Sequence, residues 1–121
     1  MPIFYMDNND FNRPQFGTLG EYEVFDQRFI KMAIEGDGVF VFDFHPIHYE
    51  LNTPNYEHYL KFSPAFKRGE SVEGMRYAGY GVRSFFDDLV SEMTRQGMQS
   101  LTLELALEQW RKDRGDPCYR A

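Results

Sequence analysis

The apolar positions of this chain come in short runs separated by polar or glycine-rich breaks. Pro2-Ile3-Phe4-Tyr5 reads as a strand, and Asp7-Asn8-Asn9-Asp10 after it reads as a polar loop. Residues 11–23, interrupted by Pro14, Gly17 and Gly20, read as irregular. From Gln27 to Glu35, Phe29, Ile30, Ala33 and Ile34 recur at helical spacing, with Asp26 placed to cap the helix and Gly36-Asp37-Gly38 to end it. Gly38-Val39-Phe40-Val41-Phe42-Asp43-Phe44 is apolar on both faces of an extended chain, the pattern of a strand covered from both sides in a parallel sheet. Strand, helix and strand in this order make a βαβ unit.

Further on, Thr53-Pro54 resembles an N-cap followed by proline in the first turn, opening a short helix near 55–60. Residues 61–80 read as loop, with Lys67-Arg68-Gly69-Glu70 exposed. The clearest helix is 82–96, where Val82, Phe85, Phe86, Leu89, Val90 and Met93 share one face and Gly97 follows. Leu101–Arg111 carries both an alternating leucine pattern and a helical one (Leu103, Ala106, Leu107, Trp110 after Thr102); the helix is the reading adopted. The tail 113–121 is polar. The expected fold class is α/β, a single domain over 1–121 with a small parallel sheet flanked by helices.

Composition narrows the functions available. With 121 residues the chain has the length of one domain. Thirteen basic against nineteen acidic residues give a net charge of −6, which argues against phosphate-driven nucleic-acid binding and against docking on an anionic membrane. A single cysteine, Cys118, excludes an internal disulfide and a cysteine-based zinc cluster. No apolar run approaches the roughly 18 residues of a membrane span, and the N-terminus lacks a signal-peptide pattern, so a cytoplasmic chain is expected. Aromatic residues reach 17 %, well supplied by twelve Phe and eight Tyr. They serve either as core or as the lining of a groove for a sugar or another flat ligand.

The chemistry gathers at the end of the buried strand, in Asp43-Phe44-His45-Pro46-Ile47-His48, which holds two of the three histidines. Ligands of parallel α/β folds bind where strands end, and Asp43 and His45, two apart, would share a face at that rim. A histidine there can act as general acid or base with a carboxylate orienting it, or serve as a metal ligand; it can equally be a hydrogen-bonded structural residue. Asp7, at the end of the first strand, falls on the same rim if the strands pair in parallel. Gly79-Tyr80-Gly81-Val82-Arg83 opens the long helix, where backbone N–H groups and Arg83 can receive a polar or anionic group.

The run from Val39 to Thr53, with Phe44-His45-Pro46-Ile47-His48 at its centre and Leu51-Asn52 behind, resembles a signature of polysaccharide-deacetylase-like proteins. Pro2-Ile3-Phe4-Tyr5-Met6-Asp7-Asn8 and Gly81-Val82-Arg83-Ser84-Phe85-Phe86-Asp87-Asp88-Leu89 are similar to the flanking segments of that group, in the same order. The resemblance implies a distorted (β/α) barrel, of which this chain would be the later part, and metal-dependent hydrolysis of N-acetyl groups on sugars. It implies His45 as the catalytic acid with Asp7 or Asp43 as its orienting carboxylate, and His48, Asn52, Tyr80 and Arg83 as substrate contacts. It also implies a divalent metal, zinc or similar, whose ligands are not identified in this chain and would come from a separate N-terminal chain or a second copy. Where the group has a Glu and a second Asp beside Asp7, this chain has Met6 and Asn8. The alternative is a catalytically inactive carbohydrate-binding or oligomerisation module.

Two strands cannot close a barrel, and a strand apolar on both faces needs neighbours on both sides. Self-association or a partner chain is therefore expected. Size-exclusion chromatography with light scattering at micromolar concentration should give a mass above the 14.3 kDa of one chain; a clean monomer would refute the expectation.

Overall fold

A computed structural model describes residues 3–12 and 22–98, together with 105, 108, 109, 111 and 112. In chain order these residues form β1 (Tyr5–Met6), α1 (Asp7–Phe11), α2 (Arg28–Glu35), β2 (Phe42–Asp43), α3 (Pro46–Leu51), α4 (Tyr56–Lys67) and α5 (Val82–Arg95). The two strands pair in parallel, Tyr5 opposite Phe42 and Met6 opposite Asp43. The architecture is a mixed α/β one, with a two-stranded parallel sheet and helices around it.

The strand–helix–strand order holds, but β2 is shorter than the apolar run 38–44 suggests. Phe4 and Tyr5 donate their N–H groups to the carbonyl of Val41 (2.9 and 3.2 Å), so the ladder starts at Val41 and ends where the two chains turn into helices. Val39 through Phe44 are all half-buried, because among the described residues β2 has one strand beside it rather than two. The polar stretch Asp7–Asp10 is helical rather than a loop. Asp10 accepts a short hydrogen bond from the Tyr5 hydroxyl and another from the Phe25 N–H (3.0 Å), which pins the turn back onto the sheet.

The helix before β2 spans Arg28–Glu35; its N-cap is Gln27 rather than Asp26, whose carboxylate sits one residue earlier and accepts from the N–H groups of Arg28 and Glu23 (both 3.0 Å). The short helix expected at 55–60 instead runs to Lys67, through an exposed Pro64. Its cap is Asn55, whose side chain accepts from the His58 N–H at 2.9 Å; Thr53 is buried and otherwise engaged. Residues 67–70 are exposed, as expected. The helix expected over 82–96 forms, and Leu105, Glu108, Gln109, Arg111 and Lys112 are helical, in accord with the helix reading of that segment. Cys118 and the tail 113–121 lie outside the described residues.

Aromatic rings supply much of the core. Tyr5, Phe29, Ile30, Phe85 and Leu89 are buried together, with Phe4, Phe25, Phe42 and Phe44 packed against them. Phe85 is wholly buried among them: its ring centroid lies 4.9 Å from that of Tyr5, 6.0 Å from Phe25 and 6.4 Å from Phe44. Edge-to-face packing of this kind adds to the area each ring buries. Val90, assigned by spacing to the same face of α5, is 42 % exposed instead. Replacing the wholly buried Phe85 by Ala should cost about 3–5 kcal/mol in chemical denaturation. Val90→Ala should stay within about 0.5 kcal/mol of wild type.

Candidate functional site

The parallel register decides which side chains meet. Because Met6 pairs with Asp43, both strands end at one edge, where Asp7 begins α1 and His45 stands as the N-cap of α3. His45 is extended (φ −88°, ψ 135°), as the following Pro46 favours. Asp7 has no solvent contact, and its oxygens are taken up inside the protein. Oδ2 accepts from the His45 backbone N–H at 2.7 Å, Oδ1 lies 2.6 Å from His45 Nδ1, and the Asn8 N–H reaches Oδ1 at 2.7 Å. A carboxylate only accepts, so Nδ1 of His45 carries the proton in this contact and Nε2 is the nitrogen left for chemistry. The His45 side chain is 40 % exposed, which puts that chemistry within reach of solvent.

His48 lies one helical turn on. It is 5 % exposed, its Nδ1 is 3.1 Å from Thr53 Oγ1, and its ring meets those of Phe11 (4.9 Å), Tyr59 (5.1 Å) and His45 (5.7 Å) edge-on. The two histidines therefore titrate in opposite directions. The hydrogen bond that His45 donates to Asp7 raises the His45 pKa above 6.5; burial opposes it, and the charges of Asp7 and Asp43 add to the rise. Burial lowers that of His48, and the charge of His45 pushes the same way. Asp7, His45 and His48 each bring one metal-ligating atom within 4.8 Å of the others, a set of possible metal ligands that the sequence does not single out.

No protein-family model, curated protein or solved structure matches the chain. The site thus stands on its geometry.

Of the two carboxylates that sequence offers as the partner of His45, Asp7 makes the hydrogen bonds, while Asp43, half-buried in β2, acts on His45 through its charge. Asn52 is buried and spent on the protein: its amide donates to the carbonyls of Tyr77 (3.0 Å) and Gly79 (2.8 Å), and its Oδ1 accepts from the Ser84 N–H (3.2 Å). It adopts the left-handed conformation (φ 49°) and presses so closely on Gly81 that a Cβ there would lie 2.1 Å from its carbonyl oxygen. Tyr80 donates to Asp88 at 2.6 Å and accepts from Gln27 at 2.7 Å, and burial together with Asp88 pushes its pKa well up. Arg83 lies over the Tyr49 ring at 4.6 Å. Both residues flank the start of α5, with partners other than the histidines. Thr53, the partner of His48, carried no chemical signal in the sequence beyond its place before a proline.

A histidine whose folded pKa is raised stabilises the fold below its unfolded value near 6.5 and loses that contribution as pH climbs through the folded value. One whose pKa is lowered contributes above 6.5 and loses it as pH falls. NMR titration of the imidazole C–H signals should place His45 above 6.5 and His48 below it. Asp7→Asn should bring His45 down; an unmoved His45 would show that the carboxylate does not control it.

Proposed function

We propose that this chain carries the proton-donating part of a carbohydrate N-deacetylase-like hydrolytic site, with His45 as the general acid. The observation that carries the reading is the double hold of Asp7 on His45: it orients the ring, favours the imidazolium and leaves Nε2 to act. When water has added to an acetamide carbonyl, the C–N bond breaks only if the departing nitrogen receives a proton. His45 Nε2–H supplies it, and Asp7 stabilises the charged ring beforehand. Burial lowers the pKa of His48 beside it, which disfavours two positive charges on the pair. Tyr80 and Arg83, at the start of α5, are the residues this reading retains as sugar contacts; Asn52 shapes the loop that carries Tyr80.

In this chemistry a divalent ion activates water and polarises the carbonyl. The donor set Asp7, His45 and His48 suits such an ion, yet His45 cannot hold it and donate a proton in the same step. The hydrolytic ion and the base therefore belong to the remainder of a (β/α) barrel, supplied by another chain or a second copy. The half-buried run 39–44 supports the same reading, since its phenylalanines leave surface for a further β/α unit.

Deacetylation of N-acetylated sugar oligomers, assayed with added Zn²⁺, Co²⁺ or Mn²⁺ on whatever assembly the chain forms, tests this. His45→Ala should cut the rate by about 10²–10⁴ with the fold intact. Sugar binding without turnover under any metal would favour the inactive module instead. No helix among the described residues is long and apolar enough to cross a membrane.

A further inference from the structure

We propose that Asp7, His45 and His48 also bind one borderline divalent ion of the zinc class, and that occupancy of this site takes His45 out of proton transfer. The second half rests on the general-acid reading of His45; the binding half does not. This is a separate site from the hydrolytic metal, whose ligands that reading places outside the chain.

The argument is geometric. Three donor atoms, one from each residue, lie within 4.8 Å of one another, close enough for small side-chain shifts to bring them around one ion. A carboxylate with two imidazoles is a donor set that zinc favours, and three protein ligands leave a position for water. The outer bonds that aim such ligands are already made. The His45 N–H and the Asn8 N–H hold the Asp7 carboxylate, each at 2.7 Å, and Thr53 Oγ1 engages His48 Nδ1 at 3.1 Å, which leaves Nε2 of His48 for an ion. Partners of this sort fix ring orientation and tune affinity. Asp7 and His48 close the site from the protein side, and solvent reaches it past His45.

On loading, the ion takes the place of the proton between His45 Nδ1 and Asp7 Oδ1, leaving the one ring proton of His45 on Nε2, and takes a third lone pair from His48 Nε2. Any proton held at those atoms passes to bulk water. A ring that carries an ion on one nitrogen cannot take up a second proton to become imidazolium. Zinc and acid catalysis at His45 are thus mutually exclusive, and the site would shut down as free zinc rises.

The test is a Zn²⁺ titration of the full 121-residue chain by calorimetry and by imidazole NMR, with Co²⁺ absorption as the spectroscopic check. One ion per chain is expected. The His45 and His48 ring signals should move together while those of His58 stay in place, an internal control in the wild-type protein that needs no variant. Asp7→Asn and His48→Asn should each weaken binding by about tenfold or more. Absence of saturable binding, equal movement of His58, or affinity unchanged in a folded His48→Asn variant would overturn the site. A chain that binds zinc in this way but deacetylates no sugar even at metal concentrations that leave this site empty refutes the function proposed above and keeps the site. One that deacetylates, yet binds no zinc at these residues, refutes the site alone.

Discussion

A carboxylate removed from water must find its hydrogen bonds within the protein or destabilise the fold by several kcal/mol, on the order of the whole margin of stability. Asp7 is in that position, and nearly everything that gives this chain a chemical character follows from how the demand is met. Its oxygens reach across the sheet edge to the backbone N–H and ring of His45, which ties the end of β1 to the start of α3. The same contact sets the tautomer of His45 and favours its charged form. A structural obligation and a functional orientation are therefore one interaction. Removing Asp7 would strike both.

Around this bond the protein builds a second support from the loop after α3. The left-handed turn at Asn52 sends the chain back so that Thr53 can face His48, and the Asn52 amide organises the Tyr77–Ser84 segment. The Val82 N–H donates to the Thr53 carbonyl (3.0 Å), so α5 begins against the very residue that holds His48. Rigid attachment of this kind keeps a catalytic or ligating side chain within the narrow range its chemistry needs. Tyr80, Arg83 and the two histidines are thus mounted on connected elements, although the described contacts of Tyr80 and Arg83 are with Asp88, Gln27, Phe25 and Tyr49.

The aromatic excess resolves toward packing. Phe85, Tyr5, Phe29 and their neighbours form one cluster that locks β1, α2 and α5 together, and the rings of Phe11 and Tyr59 wall in His48. Burial within that wall lowers the pKa of His48, while that of His45, a turn away and open to solvent, is raised by its hydrogen bond to Asp7. Two imidazoles 5.7 Å apart with opposed tendencies are the feature on which both proposals for this site rest.

Local pattern by itself determined the strand–helix–strand order, the helices at 28–35 and 82–95, and the strand-end position of Asp7, His45 and His48, because periodicity and proline or glycine punctuation act within a few residues. It overstated β2, since how far an apolar run stays extended depends on what lies beside it, and it missed α1, whose helix is secured by Asp10 bonding to Tyr5 and Phe25, the latter fifteen residues away. Only the tertiary structure decided that Asp7 rather than Asp43 grips His45, that Asn52 serves the loop, and that Thr53 faces His48. Those outcomes depend on strand register and on the return of a loop, and both are set by contacts between segments far apart along the chain, which no local pattern encodes.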